Sequence, residues 1–142
     1  MIRVRDVMTN NVRTVSSKAT VMQAARAMAR WKIGSVVVVD GQKPVGIMTE
    51  GDVSKCVAKG LDLAKTTVTF RRRKLITIDP GEPLEVAAKI MAAAGVKKLP
   101  VMDGDELVGM ITQTDIVNTS FSLVTSLKEM VRARYRPPDF EL

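Results

Sequence analysis

Histidine is absent from this chain of 142 residues, and cysteine occurs once, at Cys56. Without histidine the chain cannot form a Ser-His-Asp or Cys-His nucleophilic site or the HExxH zinc motif, because each requires an imidazole. One cysteine leaves no internal disulfide and no CxxC pair for a metal. Carboxylate chemistry at Asp52 or Asp115 is not forbidden, but neither acid has a second one beside it in a recognisable motif. We therefore expect a protein that is not an enzyme and needs no cofactor or metal.

Long apolar runs and aromatic residues are also scarce. Fully apolar runs, such as residues 36–39, are far shorter than the roughly 20 residues that cross a bilayer. The N-terminus carries interleaved charges and lacks the apolar block of an export signal. We therefore expect a cytoplasmic protein without a membrane partner. Aromatic residues make up 4% of the chain, which leaves few side chains for stacking on nucleobases.

Basic residues exceed acidic ones, and the formal net charge is +7. A positive balance favours an anionic partner, such as a nucleotide, a nucleic acid or an acidic protein surface. Charge alone does not choose among these partners.

The sequence contains one phrase twice, GIMTEGD at residues 46–52 and GMITQTD at residues 109–115. A shift of 63 positions superposes the two copies, carrying Thr49 onto Thr112. The same shift, without a gap, carries Thr14 onto Thr77, Ala24 onto Ala87, Met28 onto Met91, Asp40 onto Asp103 and Val45 onto Val108. The chain is therefore a tandem repeat.

Each repeat has the pattern strand, helix, strand, strand, helix. The first strands are VRTVS and LITID. The following helices begin at a capping box formed by Thr20 and Gln23, and after Pro83. Their predicted apolar faces are Val21, Ala24, Ala25 and Met28 in the first repeat and Leu84, Ala87, Ala88 and Met91 in the second. Asp-Gly dipeptides at residues 40–41 and 103–104 mark hairpins. The pattern predicts an α+β fold in which the sheets of the two repeats pack together.

The chain from Asp115 onward is helical in period until the prolines at residues 137–138. Its apolar positions are Ile116, Phe121, Val124, Leu127 and Val131. This C-terminal helix either covers the core or forms a dimer contact.

Two interpretations account for the repeated phrase. Thr49 with Asp52, and Thr112 with Asp115, fit the capping-box pattern. In that pattern the hydroxyl accepts a hydrogen bond from the backbone amide of the acid, and the carboxylate accepts one from the backbone amide of the threonine. A strand that turns directly into a helix also presents amides that can hold a phosphate, while an aspartate can accept hydrogen bonds from the paired hydroxyls of a ribose. Helix caps and a nucleotide site are both compatible with this spacing.

The phrase resembles the G-h-h-T/S-x-x-D signature of CBS domains, and the resemblance extends through VRDVMTNNVRTV and KKLPVMDGDELVGMITQTDIV. It implies two tandem beta-alpha-beta-beta-alpha CBS units related by a pseudo-two-fold axis, which together are called a Bateman module. We place the first unit at residues 1–62, the second at residues 63–120, and a C-terminal helix and tail at residues 121–142. The family commonly forms homodimers and holds AMP, ADP, ATP, NAD or S-adenosylmethionine in two clefts.

The resemblance assigns the ribose to Asp52 and Asp115 and the phosphate to Thr49 and Thr112. It also places a second group of residues along the borders of the adenine sites: Thr14, Val15, Ser16, Ser35, Thr77, Ile78, Asp79, Lys98 and Pro100. One departure from the family pattern is Arg71, which stands where Met8 stands in the first repeat. Arg71 opens a cationic run, residues 71–74, just before the border of the second cleft. This run is either a solvated linker face or a grip for a polyphosphate or an acidic partner.

The predicted function is a regulatory sensor that binds an adenosyl ligand and signals to a separate protein. A ligand can shift the two halves against each other only by binding one arrangement more tightly. The alternative is a nucleic-acid-binding or scaffolding module that uses the basic surface.

Overall fold

The computed structural model of the protein describes residues 1–69 and 74–134, with side chains described up to Arg132. The helices and strands, in chain order, are α1 (Val4–Val7), β1 (Thr14–Ser16), α2 (Val21–Trp31), β2 (Ser35–Asp40), β3 (Lys43–Thr49), α3 (Glu50–Ala58), α4 (Leu84–Ala94), β4 (Lys98–Asp103), β5 (Glu106–Thr112) and α5 (Gln113–Arg134). The predicted α+β fold and its doubled pattern are confirmed.

The first repeat has a three-stranded sheet in the order β1-β2-β3. β1 runs parallel to β2, with Thr14 opposite Val37, and β2 is antiparallel to β3. The β2–β3 hairpin turns at Gly41, whose φ of 62° lies in the left-handed region that favours glycine. Its counterpart between β4 and β5 is Gly104, with a φ of 60°. Both predicted Asp-Gly turns are therefore present.

The second repeat differs in its sheet, because the strand predicted at residues 75–79 is reduced to one bridge at Ile78. In the first repeat, Val37 N donates to Arg13 O over 3.0 Å at the start of the β1–β2 ladder. The residue equivalent to Val37 is Pro100, which has no amide hydrogen to donate. The prediction of a full strand was wrong here because proline removes this hydrogen bond of the ladder.

The helices α2 and α4 bury the faces that their periodicity predicts. At the start of α2, Gln23 N donates to Thr20 Oγ1 over 3.2 Å and Thr20 N donates to Gln23 Oε1 over 2.9 Å, which confirms the capping box. The buried residues are Val21, Ala24 and Met28 in α2 and Leu84, Ala87 and Met91 in α4. Ala88 is exposed, contrary to the prediction, because it lies at the edge of the apolar stripe.

Two apolar clusters form the core, and each draws a residue from the start of the other repeat. The first contains Val21, Ala24, Met28, Val36, Val38, Met48, Cys56 and Val68. The second contains Val4, Ile78, Leu84, Ala87, Met91, Leu99, Val101 and Ile111. Leu84 N donates to Ile2 O, and Val68 N donates to Ala19 O, each over 3.0 Å. The lead-in segments, residues 2–9 and 65–69, are therefore exchanged between the repeats.

The last helix of the described chain, α5, leaves the body of the protein. Ile116 packs partly buried against the second core cluster, but every side chain from Ser120 to Arg132 is exposed. In the described ranges, no helix is both long and apolar enough to cross a membrane.

Candidate functional site

The first copy of the repeated phrase forms the junction between β3 and α3. Asp52 N donates to Thr49 Oγ1 over 3.2 Å, while Asp52 Oδ2 accepts from Thr49 N and Thr49 Oγ1, each over 3.0 Å. Asp52 is 3% exposed and is the one buried charged residue in the described part of the chain. The capping interpretation of this copy is therefore confirmed.

The second copy repeats the two backbone capping bonds between β5 and α5. Thr112 N donates to Asp115 Oδ2 over 3.0 Å, and Asp115 N donates to Thr112 Oγ1 over 3.1 Å. Asp115 is less deeply buried than Asp52. The amides that open the two helices are also satisfied, because Glu50 N donates to Gly34 O over 3.1 Å and Gln113 N donates to Lys97 O over 2.8 Å. Each helix start is thus ordered by local capping bonds within the phrase and by one bond to a carbonyl 16 residues earlier in the chain.

A cleft of about 1080 Å³ lies beside the first copy. One wall contains the end of β3 and the first turn of α3, including Gly46, Thr49 and Gly51. The other wall comes from the second repeat, at residues 74–76 and 95–98. The cleft therefore exists only where the two repeats meet.

Charged groups around this cleft are mainly cationic. Among its described lining residues are four lysines, Lys55, Lys74, Lys97 and Lys98, and two acids, Asp40 and Glu50. Burial lowers the pKa of Lys98 below the ordinary lysine value, and the nearby Glu50 carboxylate partly opposes that shift. The concentration of ammonium groups in a concave site suits an anionic ligand.

Lys98 spans the two repeats at one end of the cleft. In the β4–β5 ladder it lies opposite Thr112 of the second phrase. Its ammonium reaches the first repeat, where a Cβ added to Gly34 would lie 3.2 Å from Lys98 Nζ. The same point is 4.0 Å from Glu50 Oε2. Lys98 is the predicted site residue that most directly connects the two halves.

The structure brings only some of the predicted site residues to this cleft. Thr49 and Lys98 line it, whereas Asp52 lies beneath the first turn of α3 and is not among the lining residues. Lys74, the last residue of the cationic run, also lines this cleft. The reason is topological, because the chain enters the second repeat alongside the first. Arg71 lies outside the described residues.

The remaining predicted residues occupy other places. Thr14 lines a separate cavity of about 790 Å³, together with acidic residues of the β4–β5 turn. Val15 and Ser16 lie in β1, and Ser35 pairs with Thr49 in the β2–β3 ladder. The other four lie on or beside the edge of the second sheet: Thr77, Ile78, Asp79 and Pro100. Ile78 and Pro100 are buried, and Asp79 Oδ1 accepts from Gly81 N over 2.7 Å. Their assignment to adenine sites stays a prediction.

Sequence reasoning missed most of the lining residues of the cleft, among them Ser17, Lys55 and Lys97. Lys55 lies one turn after Asp52 on α3, so its spacing from the phrase was a usable signal. Lys97 and Ser17 had no such signal, because their approach to the first phrase depends on how the repeats pack.

The face of the second phrase is covered by the exchanged lead-in segment. Thr9 N donates to Met110 O over 2.9 Å, and Met110 N donates to Thr9 O over 3.0 Å. A Cβ on Gly109 would lie 2.5 Å from Met8 Sδ and 2.9 Å from Thr9 O. Glycine is required here by this close approach. In the part of the chain that is described, no cluster of three or more potential metal ligands occurs.

Comparison with known proteins yields a family match in each repeat. The model of the CBS domain matches residues 4–59 and again residues 68–122. The CBS domain-containing protein YhcV of Bacillus subtilis is 30% identical over 123 residues, which are 86% of this chain and 88% of that protein. Other curated relatives are longer, and the chain spans 23% and 41% of the length of two of them.

Solved structures with the same fold include two CBS proteins with adenosyl ligands. The CBS domain pair of MJ0100, in complex with 5′-methylthioadenosine and S-adenosyl-L-methionine, superposes with a TM-score of 0.78 at 27% identity, covering 84% of this chain and 97% of that one. The protein PAE2072 of Pyrobaculum aerophilum, complexed with AMP, gives 0.75 at 25% identity, covering 80% and 89%. Together with the doubled family match, these similarities show that the chain belongs to the CBS-domain family, as a tandem pair of CBS domains.

Proposed function

We propose that this CBS pair is a non-catalytic regulatory module that binds a phosphate-bearing adenosyl ligand in the cleft beside the first phrase. The observation that carries the proposal is the set of four lysines around a cavity of about 1080 Å³. Two proteins of similar fold hold adenosyl ligands, AMP in one case and S-adenosylmethionine with methylthioadenosine in the other. The lysines attract the phosphates of AMP, ADP or ATP, whereas they repel the cationic sulfonium and amino groups of S-adenosylmethionine.

A regulatory role fits the position of the cleft. Residues from both repeats line it, so a ligand that contacts both walls favours one arrangement of the two halves. The complete absence of histidine from the sequence agrees with binding rather than catalysis. The protein that receives the signal is proposed to be separate. Its identity and the cytoplasmic location stay predictions.

The partner that we propose for α5 is a second copy of this chain. Seven large apolar side chains of the helix are between 49% and 73% exposed: Val117, Phe121, Leu123, Val124, Leu127, Met130 and Val131. They form one broad band, and a two-fold axis would present the same band to both copies. Burying the band against itself removes this apolar surface from water. An acidic partner protein would instead use the basic side chains Lys128 and Arg132.

The test of ligand binding is calorimetric titration with adenosine, AMP, ADP, ATP, NAD and S-adenosylmethionine. We expect affinity to rise with phosphate count and to fall with added salt. Lys55→Gln and Lys97→Gln should each weaken ATP by roughly two- to fivefold, as expected for exposed ionic contacts. Lys89→Gln, on the exposed face of α4 outside the cleft, is the matched control.

Two results would contradict the proposed function. One is tighter binding of S-adenosylmethionine than of ATP. The other is the absence of both heat and thermal stabilisation with every adenosyl ligand. The alternative function, nucleic-acid binding, uses the basic surface, of which Arg71, Arg72 and Arg73 lie outside the described residues.

A further inference from the structure

Two opposite charges from different repeats lie near Gly34. Lys98 Nζ, from the start of β4, lies 3.2 Å from the position that a Cβ of Gly34 would take. Glu50 Cδ and Oε2, from the first residue of α3, lie 3.9 and 4.0 Å from the same position. Both side chains line the cleft. The two side chains therefore lie near each other across the boundary between the repeats, where a ligand in the cleft can reach both.

The ammonium of Lys98 is incompletely neutralised in this position. Burial favours its neutral form, and the attraction of Glu50 offsets that effect only in part. The ammonium is also near the N-terminal end of α3, where the helix dipole disfavours a cation. Glu50 is itself exposed, so water weakens its attraction for Lys98. The Lys98 ammonium can therefore bind a second anion that enters the cleft.

Gly34 leaves room for the Lys98 ammonium beside the start of α3. Its carbonyl oxygen accepts from Glu50 N over 3.1 Å, which fixes the start of α3 beside it. Any side chain at position 34 would crowd the ammonium at 3.2 Å, so the lack of a Cβ leaves room for Lys98 to cross between the repeats.

We propose that Lys98 is the anion-binding residue that couples the two repeats, and that Glu50 is an internal counter-ion which a phosphate group displaces. The inference rests on the proposed function for the identity of the cleft, and it adds the ligand group and the residue that regulates its binding. A phosphate on Lys98 ties β4 of the second repeat to the ligand, whose remaining contacts lie along α3 of the first. Because the phosphate competes with Glu50 for Lys98, Glu50 raises the ligand concentration at which the ligand joins the two repeats.

The experiment is a double-mutant cycle with Glu50→Gln, Lys98→Gln and the double variant, titrated with adenosine, ATP and inorganic triphosphate. We expect Glu50→Gln to tighten ATP and triphosphate by about threefold or more, and Lys98→Gln to weaken both by a similar factor. In the Lys98→Gln background, Glu50→Gln should have much less effect. Adenosine should bind equally to all four proteins, because it carries no phosphate.

Asp40→Asn is the matched control, because Asp40 is another exposed acid of the same cleft. Its effect on ATP should be the same with and without Lys98, as expected for a general change in charge. The inference is overturned if Glu50→Gln weakens ATP binding, or if it tightens ATP equally in both backgrounds.

The same titrations separate this inference from the proposed function. Triphosphate binding that depends on both residues, with no binding of any adenosyl compound, would refute the adenosyl function and leave the Lys98–Glu50 inference intact. Binding of adenosine and ATP without dependence on either residue would refute the inference alone.

Discussion

Replacing Asp52 by alanine should destabilise the protein much more than replacing Asp115, although the two residues are equivalent in sequence. Asp52 is 3% exposed and accepts two described hydrogen bonds, from Thr49 N and from Thr49 Oγ1. Asp115 is only partly buried and accepts one, from Thr112 N. The burial and the second bond make the difference between the two sites.

The magnitude follows from the bonds that are lost. A hydrogen bond to a charged acceptor contributes about 1.5–3 kcal/mol, and a buried donor left without an acceptor costs about 1–3 kcal/mol. We expect Asp52→Ala to cost about 2–4 kcal/mol in the free energy of unfolding. A partly exposed capping interaction contributes about 1 kcal/mol, which is the expected cost of Asp115→Ala. For a chain of this size, the melting temperature should fall by roughly 10 °C and 4 °C respectively.

Urea and thermal unfolding, followed by circular dichroism, measure these costs. Thr49→Ser keeps the hydroxyl and should be nearly neutral, whereas Thr49→Val removes it and should cost about 1 kcal/mol. Equal melting temperatures for Asp52→Ala and the unmodified protein would refute the reasoning, as would a larger cost for Asp115→Ala. Ligand titrations of Asp52→Ala should be carried out well below its melting temperature, so that a loss of affinity is not confused with unfolding.

Three further predictions concern other parts of the molecule. Gly109→Ala should lower the free energy of unfolding in urea by about 1–3 kcal/mol, because its Cβ would lie 2.5 Å from Met8 Sδ. Adding Met8→Ala should restore part of that loss. An unchanged free energy of unfolding in Gly109→Ala would contradict the close approach. Lys98→Met should raise the melting temperature at pH 7. Burial lowers the pKa of Lys98 in the folded protein, so the charged side chain destabilises the fold at any pH below this lowered pKa. The gain in melting temperature from Lys98→Met should therefore shrink as the pH rises toward the ordinary pKa of lysine. A gain that grows with pH would disprove this reasoning. Phe121→Glu should lower the sedimentation mass of a dimer while Ser122→Glu, also exposed, should not, and equal masses for the two variants would exclude this band as the dimer contact.

The sequence predicted well those features that depend on neighbours within a turn or two. Thr20 and Gln23 specify a capping box because both partners lie on the first turn of one helix. The Asp-Gly turns follow from the tolerance of glycine for a positive φ. The one missing strand is also a local effect in retrospect, because Pro100 has no amide hydrogen to offer at the start of the ladder.

The candidate site was predicted less completely. Thr49 and Lys98 were identified and line the cleft, whereas Asp52 is buried by its own helix cap, and Lys55 and Lys97, which also line the cleft, were not identified. Both differences have one source. A motif specifies which groups are present, but the packing of the repeats specifies which of those groups face the same space.

By itself the sequence determined the tandem repeat, the helix caps, the hairpins and the apolar faces, because each is set by short-range geometry and periodicity. Only the tertiary structure decided that the lead-in segments exchange, that Met8 covers Gly109, and that Lys98 and Glu50 both lie near Gly34. Two repeats with matching patterns offer each segment equivalent partners within its own repeat and across the pair. Long-range packing decides whether a segment packs within its own repeat or on the other one, and no local sequence pattern indicates which.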